Sequence, residues 1–500
     1  MANNPIVSVV VPMYKAESYI KKCVDGILAQ TFRDFEIVLV DDASPDKSFE
    51  LCRKLYGDNE KIKLIRHAKR LGLEAARNTG KKYASGKYIY FVNCENFLPS
   101  ALKGFFDAAN IFLRQTEILV RKNREMSAQI TTLLNRMELS ANKIVFVNFM
   151  GRGYGCNPKY IAEEILRQNL PLDMVWLVRD LNEPMPEKIR KVSYGSLDSI
   201  YELATAKIIV TNTKNLLPFP GKKRGQFFIM TWHGGQGFKL IERDAEDKLS
   251  PNYLAQTKAN SAITDLMMVN TQEQFDEFRR ACWYDGEILK SGLPRNDIFF
   301  NRDEKLIAQV RAALKIPPEN KIVMYAPTFR DNVATLADIY EFDKKKLFDV
   351  LNKKFGGEWT LLMRFHPNVA ARFARDKYDS EKIINVTNYP DMQELILISD
   401  VLISDYSSVI CDFMFSGRKV FLFVKDFDTY PKERGFKPLY FELPYEINRT
   451  EAELFNCIEN FDAAAQEPKI ERFIDMVQPF DDGHASEQVV EIIKAKIAGA

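Results

Sequence analysis

Short apolar runs rich in β-branched residues alternate along this chain with longer stretches whose apolar positions recur at helical spacing. Runs of the first kind read as buried parallel strands, and the stretches between them as helices covering a sheet. Residues 5–11, 35–40, 61–65 and 86–92 make one such set. After a change of character, a second set follows at 143–148, 174–178, 206–211, 227–231, 267–270 and 287–291. A third is at 321–326, 361–365, 401–403 and 419–424. Strands alternating with helices predict α/β units with parallel sheets. Between 100 and 140 there is no proline and no glycine after Gly104, which predicts a helical connector. Arg114, Arg121, Lys122, Arg124 and Arg136 in that stretch would suit an anionic lipid surface. The interspersed Asp107, Glu117, Glu125 and Glu138 favour a connector packed on a neighbour instead.

Length narrows this picture, since 500 residues suggest about three domains. Hydrophobic residues at 46% and charged ones at 28% supply several cores, and a net charge of +2 gives no general attraction to nucleic acid. The 7 cysteines form no CxxC pair and read as thiols of a reducing compartment. The first residues lack the charged and apolar regions of a secretory signal, and no run approaches the roughly 18 apolar residues of a membrane span. The expectation is a cytoplasmic protein, with a peripheral position on the inner face of the membrane as its one membrane contact.

Candidate chemistry gathers where strands end. The stretch Ser399–Phe413 runs from an apolar strand through Asp405, Ser407 and Ser408 into a helical pattern. Small hydroxyls and free N–H groups at such a turn suit a phosphate, although Asp and Ser there also serve as plain helix caps. Of the 4 histidines, His233 and His366 each follow a buried strand, His233 just before Gly234-Gly235-Gln236-Gly237. Asp41 and Asp42 end the second strand of the first set, where open parallel sheets hold ligands.

The order Pro12-Met13-Tyr14, Asp41-Asp42-Ala43-Ser44 and Gly72 to Gly80 resembles the nucleotide-binding half of a family 2, GT-A-type glycosyltransferase. That family carries an Asp-x-Asp metal site where this chain reads Asn93-Cys94-Glu95-Asn96, and one carboxylate replaces two poorly around a hard cation. The resemblance thus implies a partial, catalytically degenerate domain over 1–99, with Asp41 and Asp42 as vestigial nucleotide contacts. A second resemblance covers 143–497. It rests on Thr231-Trp232-His233-Gly234, Gly292-Leu293-Pro294-Arg295, Tyr325 to Asp331, Arg364-Phe365-His366-Pro367, Asp400 to Phe413 and Asp482 to Glu487. These blocks resemble the CDP-glycerol glycerophosphotransferase family, which builds teichoic acids and related capsules.

The resulting architecture is an α/β chain with a GT-B-type pair of Rossmann-like domains. It divides into the GT-A-like domain 1–99, a helical linker 100–142, an acceptor-side domain 143–305 and a CDP-polyol-binding domain 306–500 with a terminal helix. The resemblance implies transfer of a polyol phosphate from CDP-glycerol or CDP-ribitol to a polyol-phosphate or lipid-linked saccharide acceptor. It implies no cofactor, metal or nucleic acid. His233 is the expected base. His366, Arg330, Ser407 and Ser408 form the donor phosphate site, with Asp405 orienting it and Arg295 and Arg434 as further phosphate contacts. Two other readings remain: a bifunctional enzyme whose first domain also transfers a sugar, and a non-catalytic scaffold for polymer assembly.

Overall fold

A computed structural model of the chain describes residues 5, 7–29, 35–86, 88–92, 137–214, 222–328, 330, 340–365, 380–430 and 435–499. The positions 93–96 and most of the expected linker lie outside that set, as do His366 and Arg434. The chain divides into two compact units, one of residues 1–137 with Gly195–Tyr201 and one holding the remainder. Among the described residues, no helix is long and apolar enough to cross a membrane.

In the first unit, β1 (Val7–Met13), β2 (Phe35–Asp41), β3 (Ile62–Arg66) and β4 (Tyr88–Phe91) form a four-stranded parallel sheet in the order β3-β2-β1-β4. Every residue of β2 is buried, as a strand covered on both faces requires. The helix Leu73–Tyr83 lies close on this sheet: a β-carbon on Gly80 would fall 2.1 Å from Cγ1 of Val10. Glycine is therefore what lets the helix approach.

The second unit contains two sheets. The first holds β5 (Ser140–Val147), β6 (Asp173–Val178), β7 (Ile189–Ser193), β8 (Ala206–Thr211), β9 (Phe227–Met230), β10 (Leu266–Val269) and β11 (Glu287–Lys290). It is seven-stranded and parallel, ordered β11-β10-β9-β8-β5-β6-β7. The second holds β12 (Lys321–Ala326), β13 (Trp359–Met363), β14 (Ile383–Asn385), β15 (Val401–Ser404), β16 (Lys419–Phe423) and β17 (Ile447–Asn448). It is six-stranded and parallel, ordered β14-β13-β12-β15-β16-β17. Along β12, Ile322 and Met324 enter one apolar cluster and Val323 and Tyr325 another, the period of two that covers both faces. Strand order reverses at β8/β5 and at β12/β15, so each sheet has a switch point where a crevice opens at its carboxyl edge.

Sequence pattern locates the central strands but not β7, β14 and β17, which lie at sheet edges. Most of their residues are partly exposed, and β7 reads Ile-Arg-Lys-Val-Ser, so no apolar run marks them. The terminal helix also departs from the expected division at 306–500. The chain crosses back at Gln478–Phe480, where the N–H of Gln272 donates to Gln478 at 3.0 Å and that of Phe480 to Asn270 at 2.8 Å. The helix Ala485–Ala498 then places Val489, Val490 and Ile493 in one core with Ile144, Phe146 and Trp176 of the first sheet. Asp297 accepts from the N–H groups of Ala485 (3.0 Å) and Ser486 (2.7 Å), which ties the helix N-terminus to the same lobe.

Ile493 is fully buried there. Ile493→Ala should lower stability by about 2–4 kcal/mol, measured by denaturant melting. Hydrogen exchange should show β5 and β6 losing protection before β12 and β15. Equal loss in both sheets would contradict the placement of the helix in the first lobe.

Candidate active site at the carboxyl edges of two sheets

Strand β9 delivers the turn Thr231–Gly235 to the edge of the first sheet. Trp232 there has φ +55, a left-handed value costly for a bulky residue. The turn is held from behind through its carbonyls. Asn157 Nδ2 donates to the carbonyls of Thr231 and Trp232, both at 3.1 Å. Arg295 Nη1 donates to that of His233 at 2.6 Å. Gln274 Nε2 donates to those of Gly234 (3.2 Å) and Gly235 (2.9 Å). With its main chain over-determined in this way, the strained conformation persists.

The His233 ring stacks on Trp232 with centroids 4.9 Å apart and meets the edge of Phe149 at 5.6 Å. Its Nδ1 lies 3.1 Å from the carbonyl oxygen of Asn212, which directly follows β8 at the first switch point. A carbonyl only accepts, so the proton sits on Nδ1 and the Nε2 lone pair is left to take one. The ring is solvent-accessible yet densely surrounded by protein, the condition of a group lining a recess. Desolvation lowers its pKa below the ordinary value, and the positive charges of Arg295 and Lys214 add to this against the Asn212 bond and Glu242. His233 is therefore neutral at pH 7, the state a general base requires.

The second sheet brings its own switch point to the site. Asp405, just after β15, accepts from the N–H of Thr328 after β12 at 2.8 Å and from that of Tyr406 at 2.6 Å. Its other oxygen accepts from Arg330 Nη2 at 2.8 Å. Ser407 and Ser408 follow, leading into the helix Val409–Phe415. Ser408 is half-buried and its hydroxyl has no partner among the described residues. A β-carbon on Gly234 would lie 3.6 Å from Ser408 Oγ, so the histidine turn of one lobe faces the serine turn of the other.

Two of the expected phosphate contacts are engaged within the protein. Arg330, expected at the donor phosphate, is buried against the stacked rings of Tyr406 and Tyr430 and ion-paired to Asp405 and Asp426. Arg295, expected as a phosphate contact, is buried and paired with Asp412 at 2.7 Å. Both guanidiniums are committed within the protein and act on the shape of the site. Asp412 itself went unassigned in the sequence, although a carboxylate inside the otherwise apolar stretch Val409–Phe415 was a visible signal. Asn157 and Asn212 carried no such signal.

In the first unit, Asp41 pairs with Arg66 at 3.1 Å, and Asp42 accepts from the N–H groups of Leu71 (2.8 Å) and Gly72 (2.7 Å). Asp42 also pairs with His67, whose other nitrogen lies 2.8 Å from the Thr79 hydroxyl. Burial would raise the Asp42 pKa, but these bonds outweigh it and hold the carboxyl below its usual range.

Two doubly wound lobes meeting at their carboxyl edges define a GT-B-type fold. The family model described as CDP-glycerol:poly(glycerophosphate) glycerophosphotransferase matches residues 129–495, and that of glycosyl transferase family 2 matches residues 8–103. The chain is 32% identical to a teichoic acid poly(glycerol phosphate) polymerase of Staphylococcus epidermidis over 76% of this chain and 54% of that one. It is 30% identical to the Bacillus subtilis protein of the same description over 72% of this chain and 50% of that one. It thus spans about half the length of these curated relatives. A solved structure of the wall teichoic acid polymerase TagF, in a variant soaked with CDPG, superimposes with a TM-score of 0.66 at 30% identity, covering 77% of this chain and 97% of that one. The chain belongs to the CDP-glycerol:poly(glycerophosphate) glycerophosphotransferase family.

In an NMR titration of the histidine rings, His233 should change charge below 6.5 and His484 above it. His484 is exposed and its Nδ1 meets Glu487 at 3.0 Å, which favours the imidazolium. Because folding depresses the His233 value, its contribution to stability is full above 6.5 and is lost as pH falls towards the depressed value. A His233 midpoint at or above 6.5 would contradict the arrangement described.

Proposed function

We propose that the chain transfers glycerol phosphate, or a related polyol phosphate, from CDP-glycerol or CDP-ribitol to an acceptor hydroxyl. CMP is released, and the product is a teichoic-acid-like or capsular polymer. The observation that carries this reading is that the turn holding a neutral histidine faces, at Gly234, the hydroxyl of Ser408, which has no partner among the described residues. His233 takes the proton of the acceptor hydroxyl as its oxygen attacks the β-phosphorus. The bond from that phosphorus to the CMP oxygen breaks, and CMP carries away the electron pair. Ser407 and Ser408, with the N–H groups of their turn, hold the diphosphate as charge develops on it. His366 and Arg434 join that site by family resemblance, while Asp405 and Arg330 shape it.

The acceptor in this reading is a polyol phosphate or a lipid-linked saccharide met at the inner face of the membrane. The matched polymerases support the polyol-phosphate acceptor, since their descriptions are of teichoic acid poly(glycerol phosphate) polymerases. The first unit takes no part in the chemistry: Asp42 is already committed to His67, Leu71 and Gly72, and the metal position reads Asn93-Cys94-Glu95.

The deciding experiment offers purified protein CDP-glycerol, CDP-ribitol and UDP-sugars and measures release of CMP or UDP. CMP from a CDP-polyol is expected. UDP alone would overturn the reading, and UDP beside CMP would restore the bifunctional one. His233→Ala should lower the rate of CMP release by about two to four orders of magnitude and leave CDP-polyol binding nearly intact. Wild-type turnover in that variant would remove His233 from the mechanism. Charge-assisted bonds are worth about 1.5–3 kcal/mol each, so replacing Ser407 and Ser408 together with Ala should weaken CDP-polyol binding by roughly one to three orders of magnitude. CMP binding should weaken less, because CMP lacks the β-phosphate. Serines that only cap the helix would instead cost about 1 kcal/mol of stability with no change in affinity, which calorimetric titration beside a melting curve distinguishes.

A further inference from the structure

The donors that hold the histidine turn differ in one respect. Asn157 and Gln274 belong to the same lobe as the turn, whereas Arg295 also reaches the other lobe. Its Nη1 holds the His233 carbonyl at 2.6 Å and its Nη2 meets Asp412 Oδ2 at 2.7 Å. Asp412 lies on the helix that Ser407 and Ser408 introduce, and Gln393 Nε2 donates to the same oxygen at 3.2 Å. The Arg295 main-chain N–H donates to Asn157 Oδ1 at 3.1 Å, so the guanidinium and the asparagine brace consecutive carbonyls as one assembly. Arg295 and Asp412 are both almost completely buried.

A buried ion pair is a poor source of stability, because desolvation offsets its attraction and apolar residues of similar volume often do as well. Its value lies in geometry. Each bond here ends on something the reaction uses: the main chain of the base on one side, the helix behind the serines on the other. We propose that Arg295 and Asp412 form a positioning pair that sets the His233 turn and the Ser407–Ser408 turn against each other across the lobes. This rests on the phosphotransfer reading, since it assigns the pair its part in that reaction.

Three charged groups act on the His233 ring, and a fourth acts through one of them. Arg295, from the loop after β11, and Lys214, after β8, disfavour the imidazolium, while Glu242 favours it and Asp412 offsets Arg295. Changing the pair therefore alters the ring in a direction set by which charge is removed. Asp412→Asn leaves Arg295 uncompensated and should move the His233 midpoint to lower pH. The double variant Arg295→Met with Asp412→Leu removes both charges, of which that of Arg295 acts on the ring, and should move it to higher pH.

The test combines two measurements on the full chain. Ring NMR follows His233 without any substrate, and steady-state CMP release from CDP-glycerol gives kcat and KM. In both variants kcat should fall by about a hundredfold, the scale of a misplaced reacting group. KM should move by less than about threefold, since neither residue binds the donor. The double variant guards against misfolding, because an apolar pair leaves no unpaired buried charge. A folded double variant with wild-type kcat would overturn the proposal, as would His233 midpoints that stay put or shift the same way in both variants. If the wild-type chain releases no CMP, the phosphotransfer reading fails. The opposed NMR shifts would still support the coupling of the pair to His233, and their absence would overturn it.

Discussion

A strained turn can present a reactive side chain only while its main chain is held from behind. Here the carbonyls of Thr231 to Gly235 are braced by Asn157, Arg295 and Gln274, and that bracing keeps Trp232 at φ +55. The consequence is a histidine whose orientation is set twice, by the Asn212 carbonyl on Nδ1 and by the indole stacked on its ring. A ring pre-organised in this way needs little reorganisation to accept a proton. The glycines after it matter for the same reason. A β-carbon on Gly235 would come within 2.8 Å of Asp412 Oδ1, so the turn can lie against the second lobe only with hydrogen at that position.

The lobes of the second unit are joined through buried cations. Lys159 meets Asp391 at 2.8 Å together with Glu394, Lys437 meets Glu277 at 2.8 Å, and Arg295 meets Asp412. Each bridge joins an element of the first sheet's lobe to one of the second. Burial pushes Glu277, beside Lys437, up to about 7. An apolar seam of equal area would hold two lobes together but tolerate sliding. Directional charge pairs hold them in register, which keeps the two sheet edges facing each other in one arrangement.

The first unit shows how a fold can be kept while its polar groups turn inward. Its parallel sheet and family 2 match are intact, yet Asp42 is bonded to a histidine and two main-chain N–H groups. A carboxylate so engaged is a structural clamp for the loop into the helix Leu73–Tyr83.

The alternation of apolar runs and helical stretches was enough to establish three parallel-sheet units, because a strand buried on both faces must be apolar throughout. It was also enough to mark His233, Asp405, Ser407 and Ser408, since polar residues directly after such strands fall at a sheet's carboxyl edge. Edge strands β7, β14 and β17 escaped it, as water replaces the apolar neighbours that would otherwise select their residues. Tertiary structure alone decided that Arg295 and Arg330 pair with buried carboxylates. It also decided that the terminal helix returns to the first lobe and that Ser408 faces Gly234. The physical reason is common to these cases. A residue's type limits what it can bond, but the partner it meets is chosen by packing between segments far apart in the chain, and local pattern holds no record of that distance.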